Sequence, residues 1–156
     1  MSDQSRINDQ NRIRSAGKVR RLTLDDLGIS VLDEQDNLDK RLAEEAAEAA
    51  EHMRGDEPLH GAAVASAGGV IYAAPRIVTP TKTTHAVELA VLKALSDGVD
   101  QVVAATVYVE EGEVSVCGAC RQLLAEYGSD GVAVRGVAGK EQVFEASIAD
   151  LLPTGL

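Results

Sequence analysis

Residues 101–128 read QVVAATVYVEEGEVSVCGACRQLLAEYG, and they decide the fold class. The run at 101–109 is almost continuously apolar and rich in β-branched residues, the pattern of a strand covered on both faces. Residues 118–127 read as a helix, stopped by Gly128. Cys117 and Cys120 stand where that helix begins. A strand followed by a helix and then by a further strand belongs to a sheet with helices on its faces. Strands reached through a helix are expected to run parallel to the one before.

Working outward from there, residues 85–96 (HAVELAVLKALS) form a second helix, with Leu89, Leu92 and Leu95 on one side and Gly98 just beyond. Residues 60–66 and 70–74 flank Ala67-Gly68-Gly69 and read as a β-hairpin. Residues 75–84 (PRIVTPTKTT) are an extended loop. Further upstream, Leu38, Leu42, Ala46, Ala49 and Ala50 recur at three- and four-residue steps among glutamates. This predicts an amphipathic helix over 37–54, closed by Gly55. Downstream, 132–137 and 142–145 read as strands and 146–152 as a short helix or turn before Pro153. The predicted fold is α/β: a three-layer α/β/α sandwich around a mixed five-stranded sheet. The predicted organisation is an N-terminal extension over 1–36, partly disordered because residues 1 to about 17 are polar and without period, and one domain over 37–156.

The composition excludes several classes. A chain of 156 residues is one ordinary domain with room for a core. There is no run of about 18 apolar residues to span a membrane. The first ten residues, MSDQSRINDQ, lack the apolar segment of a secretory signal. Two cysteines are too few for a disulfide scaffold. The expectation is a soluble cytoplasmic protein. The net charge is −10, unevenly spread. Residues 1–21 hold six basic and two acidic groups, and the remainder holds 9 basic and 23 acidic. An acidic body repels nucleic acid at long range, so only the basic tail is a candidate for such contact. With only five lysines in the whole chain, the body also has the character of a protein adapted to high salt.

The chemistry concentrates at three residues. Two thiols in a Cys117-Gly118-Ala119-Cys120 arrangement can grip one tetrahedral ion, and the helix start favours their thiolates. Zinc needs a third protein ligand and, in a catalytic site, keeps a fourth position open. His85 is the candidate, because it too opens a helix after a loop. Two helices starting at one edge of a sheet bring such side chains together, where α/β sheets place ligands. A redox dithiol is the alternative reading of the same spacing. His52, among glutamates, reads as a surface residue. His60, at a strand start, reads as structural or as a substitute ligand.

Four segments, GAAVASAGGVIYAA, HAVELAVLKALSDG, CGACRQLLAEYG and VFEASIADLLP, together resemble the cytidine deaminase family, over about residues 37–156. The run ELAVL at 88–92 resembles its blasticidin deaminase branch. The resemblance implies zinc held by His85, Cys117 and Cys120, hydrolytic deamination in which zinc activates water, and a glutamate that carries the proton. It implies that Arg121 tunes the zinc thiolates. It implies a small-molecule substrate and a homo-oligomer, a dimer or tetramer, whose sites lie at subunit contacts.

The chain also departs from the family pattern. The usual glutamate place holds Val87, and the only nearby carboxylate is Glu88, turned by about 100° around a helix. The proline usual before the first cysteine is Val116. Glu57-Pro58-Leu59 stands where an aromatic packs against the base. Ala74 and Arg76 fall on the ribose-binding Asn and Glu places, and Leu156 replaces a C-terminal aromatic. Arg76 suits a phosphate or carboxylate instead. Three functional expectations follow: a zinc deaminase of cytidine or a related amino-pyrimidine with Glu88 as proton carrier, a zinc-stabilised binding homologue without turnover, or a deaminase of an anionic or non-nucleoside substrate.

Overall fold

The structure is a computed structural model that describes the backbone of residues 31–152 and the side chains of residues 34–152. The readings made for residues 1–30 and for Leu156 lie outside these residues. In chain order the elements are α1 (Val31–Ala50), β1 (His60–Ser66), β2 (Ile71–Pro75), β3 (Ile77–Val78), β4 (Thr83–Thr84), α2 (Ala86–Ser96), β5 (Val102–Val109), α3 (Gly118–Tyr127), β6 (Gly128–Ala138), β7 (Glu141–Ser147) and α4 (Ile148–Leu151).

Five strands form one mixed sheet in the order β2-β1-β5-β6-β7. The β1–β2 hairpin and the β1–β5 pair are antiparallel. β6 lies parallel to β5, as expected for two strands joined through α3. β7 runs antiparallel to β6, because the two are joined by a tight turn at Gly139 and Lys140 and not by a helix. The loop expected over 75–84 carries a small hairpin of its own, β3 with β4.

Alternation along β1 assigns its two faces. Ala62 and Val64 point into a core shared with Ala90, Val91 and Ala94 of α2, Val134 of β6 and Leu124 of α3. Ala63 and Ala65 point the other way, against Leu42 and Ala46 of α1. Both faces of β1 are therefore buried, and the three layers follow from that. The helix over Leu42, Ala46 and Ala50 has the predicted buried face, with Glu44, Glu45 and Glu48 exposed. Its bounds differ from 37–54: it begins at Val31 and ends at Ala50.

One glycine sets how closely α1 approaches. A Cβ at Gly61 would lie 2.0 Å from the Ala46 carbonyl oxygen and 2.9 Å from the Ala50 nitrogen. The strand thus meets the helix backbone to backbone, immediately beside His60. On the other side of the sheet, α2 and α3 both pack into the larger core.

Candidate metal centre and its pocket

His85 and Cys117 are the N-cap residues of α2 and α3. Both have extended backbones, with φ −70° and ψ 149° for His85 and φ −63° and ψ 159° for Cys117. The His85 ring makes no capping hydrogen bond, so its nitrogens are not committed to the helix. Cys117 Sγ accepts a hydrogen bond from the Cys120 backbone N–H at 3.2 Å. That turn folds the two thiols toward the same point. Cys120 Sγ lies 3.7 Å from His85 Nδ1. The ligand atoms of His85, Cys117 and Cys120 all lie within 4.8 Å of one another.

These distances fit zinc. Bonds of about 2.3 Å to sulfur and about 2.0–2.1 Å to nitrogen at tetrahedral angles put neighbouring ligand atoms about 3.5–3.8 Å apart. The donor chemistry fits as well. Both cysteines are free. Burial pushes the Cys120 thiol up to about 12, and the hydrogen bond and charge of Cys117 push the same way, with the Glu88 carboxylate adding to it. The Glu88 backbone N–H acts in the opposite direction. A buried thiol raised in this way ionises readily only with a cation beside it.

His85, Cys117 and Cys120 line a cavity of about 120 Å³, together with His60, Arg76, Val87, Ser115 and Val116. Val87 is 3% exposed and faces this cavity. Glu88 is not among the lining residues. Its carboxylate lies 3.6 Å from Lys82 Nζ, with the side chain 32% exposed. The one-residue offset in H-A-V-E is therefore visible in space: the apolar side chain lines the pocket and the carboxylate is turned toward Lys82.

Arg121 sits on α3 beyond the cysteines. Its backbone N–H bonds the Cys117 carbonyl at 2.9 Å, and its Nη1 donates to the Leu151 carbonyl at 3.2 Å, tying α3 to α4. Among the described residues it has no hydrogen bond to either sulfur. Arg76 lies at the end of β2. Its backbone N–H donates to the His60 carbonyl at 3.0 Å, and its Nη1 pairs with Glu57. Ala74, two residues earlier, is wholly buried in the core and not in the pocket.

The structure adds His60 to the pocket. Sequence reasoning left it as structural or as a substitute ligand. It stands outside the three-residue cluster but lines the same cavity. Burial lowers its pKa below the ordinary 6.5, and the Arg76 and His85 charges lower it further, against an opposing effect of Glu57. His52 is exposed, as expected of a surface residue. The signal that places His60 is its position next to Gly61, at the sheet edge where β1 meets the Arg76 turn.

Residues 35–135 match the family model described as the cytidine and deoxycytidylate deaminase zinc-binding region. A cytidine deaminase of Sporosarcina psychrophila is 38% identical over 96 residues, which are 60% of this chain and 71% of that one. The crystal structure of cytidine deaminase from Burkholderia pseudomallei superposes with a TM-score of 0.67 at 27% identity, over 75% of this chain and 98% of that one. Cytidine deaminase from Mycobacterium tuberculosis has the same fold, with a TM-score of 0.64 at 23% identity over 75% and 95% of the two chains.

Proposed function

Because this chain belongs to the cytidine and deoxycytidylate deaminase family, we propose that it is a zinc hydrolase that removes the amino group of cytidine, deoxycytidine or a related amino-pyrimidine. The observation that carries the reading is the convergence of His85, Cys117 and Cys120 at two helix starts within one small cavity. These three residues would hold the metal. When bound, zinc supplies Lewis acidity that makes water nucleophilic near neutral pH. The cavity does the rest of the work by position. Val87, Val107 and Val116 give it apolar walls against a flat ring, and Ser115 adds a hydroxyl.

Proton transfer is assigned to Glu88, the carboxylate whose charge is felt at Cys120. To reach the reacting ring, Glu88 must leave Lys82. That pair is exposed on the lysine side, and such a pair is worth about 0–1 kcal/mol. Release therefore adds little to the barrier. Arg121 anchors α4 to the helix that carries the cysteines and so steadies their geometry. Residues 37–156 form the proposed catalytic domain, working as a cytoplasmic homo-oligomer in pyrimidine salvage.

A second reading is favoured by one observation: among the described residues no carboxylate lines the cavity, and Val87 occupies its wall. A protein that kept zinc as a staple and binds a pyrimidine without turnover would have this pocket. The experiment is direct. The purified protein is assayed for zinc content, and ammonia release is followed with cytidine, deoxycytidine and other amino-pyrimidines. One zinc per chain with ammonia released, and loss of turnover in Glu88→Ala, supports the hydrolase. Turnover unchanged in Glu88→Ala removes Glu88 from the mechanism. One zinc per chain with no ammonia from any substrate selects the binding protein.

A further inference from the structure

We infer that His60 is a second proton carrier of the reaction, acting from the sheet side of the metal cavity on the departing amino group. The inference deepens the hydrolase reading and rests on it.

The strand decides where the ring points. Gly61, Ala63 and Ala65 of β1 face α1. Side chains alternate along a strand, so His60 falls on the other face, with Ala62 and Val64. That is the face against which α2 and α3 pack, and His85 and Cys117 stand at the starts of those helices. The His60 side chain is partly exposed and lines the cavity. Its backbone is pinned on both sides: the N–H donates to Met53 Sδ at 3.3 Å, and the carbonyl accepts from the Arg76 N–H at 3.0 Å. Among the described residues only these backbone groups of His60 are hydrogen-bonded, and the ring is not. A fixed, accessible and uncommitted imidazole therefore borders the cavity.

The other lining groups are committed or inert. His85, Cys117 and Cys120 would hold the metal. Arg76 is paired with Glu57 and keeps its charge at any working pH. Among the described residues no carboxylate lines the cavity. His60 stands outside the ligand cluster. Burial and the Arg76 charge lower its pKa below the ordinary 6.5, against the opposing Glu57 carboxylate. Its imidazole is thus neutral near pH 7 and able to take up a proton and return it.

Hydrolysis of an amino-pyrimidine has a place for such a group. Both protons of the added water leave its oxygen. One goes to the ring nitrogen and one to the amino nitrogen, which departs as ammonia. Glu88 reaches the reacting ring from α2 and serves the ring nitrogen. His60 comes from β1. As the O–H pair becomes the second bond of C=O, His60 takes the hydroxyl proton at its unprotonated nitrogen. It delivers a proton to the amino nitrogen, and the C–N bond breaks with its electron pair leaving on ammonia. The imidazole ends as it began, and no further reactant is consumed.

The test uses zinc-loaded, full-length protein, with cytidine and deoxycytidine as substrates and uridine as the product-like ligand. His60→Gln keeps a polar side chain but cannot carry a proton near neutral pH. It should retain one zinc per chain and the wild-type KM and uridine affinity, while kcat falls about 100-fold or more. His60→Ala should behave the same way, and added imidazole should restore part of its kcat without changing its zinc content. A purely structural role would not give that rescue. Wild-type kcat in His60→Gln overturns the inference. So does loss of zinc in both variants, or a fall in uridine affinity as large as the fall in rate, since either places His60 in binding and not in proton transfer. No ammonia from the wild type with either substrate removes the hydrolase reading and this inference with it. Ammonia from the wild type that His60→Gln leaves unchanged removes the inference alone.

Discussion

Cys120 Sγ and His85 Nδ1 lie 3.7 Å apart although 35 residues separate them in the chain. Neither belongs to the other's helix. The contact exists because α2 and α3 begin at one end of the sheet and pack into a common core. A metal bound there cross-links the two helices, so metal affinity adds to folding stability. We expect Cys120→Ser or His85→Ala to lose most of the bound zinc. Chelation of the wild type should lower its melting temperature, and chelation of either variant should not. At a free metal level 100 times the dissociation constant, the stabilisation is about 2.7 kcal/mol. Metal analysis with thermal denaturation, with and without chelator, checks this.

Val87 provides the sharpest test of the reaction. Its side chain lines the cavity, while Glu88 is held toward Lys82. General acid–base assistance is typically worth ~10²–10⁴ in rate. We expect Val87→Glu to raise ammonia release by an amount approaching that range, because it puts a carboxylate on the cavity wall. The same change should cost about 1–3 kcal/mol of stability, since a polar group enters a place now 3% exposed. Higher turnover with a lower melting temperature is the expected signature. A rate at or below that of the wild type would show that a carboxylate at this position does not reach the reacting atoms.

The convergence of His85, Cys117 and Cys120 was legible in the sequence because each residue is tied to a local signal. Cys117 and Cys120 share one helical turn, and His85 opens a helix whose apolar period is plain. The strand 102–109 and both helices of the larger core were likewise readable from pattern alone. The pairing of His60 with Arg76 was not. It depends on hairpin register and on the backbone bond that follows the last paired residue, Pro75. No window of sequence contains that relationship. β6 shows another limit. Gly128-Ser129-Asp130-Gly131 has the composition of a turn, yet β6 already begins at Gly128, which pairs with Val102. Tertiary pairing there overrides local preference. At the start of α1, Val31 to Asp36 carries no clear period, and the helix nevertheless includes it.

Gly61 gives a test of how the pocket is supported. An added Cβ would meet the Ala46 carbonyl at 2.0 Å, and that atom belongs to the helix backbone and cannot rotate aside. Gly61→Ala must push α1 and β1 apart. Overpacking of a close contact typically costs about 1–3 kcal/mol, and backbone shifts place this case at or above the upper end. Because Gly61 also lines the cavity beside His60, zinc-loaded Gly61→Ala should lose ligand affinity as well as melting temperature. Leu42→Ala, which only empties core volume on the α1 side, should cost about 2–5 kcal/mol and leave the pocket's ligand preference intact.

His60 makes stability depend on pH in a defined direction. Burial depresses its pKa below 6.5, with the Arg76 charge acting the same way. The unfolded chain therefore binds a proton on this residue at a higher pH than the folded one. Between the two pKa values the unfolded state carries more protons, and stability rises with pH. The contribution is fully present above about 6.5 and is lost as the pH falls toward the folded-state value. We expect zinc-loaded wild type to lose stability on acidification below pH 6.5, and His60→Gln to lose less over the same interval. Arg76→Met should move the His60 titration upward, because it removes the neighbouring cation. Denaturant melts across pH 5–8 and the imidazole proton shifts of His60 measure both effects. A His60 titration unmoved by Arg76→Met would show that the two side chains do not share a field at the pocket edge.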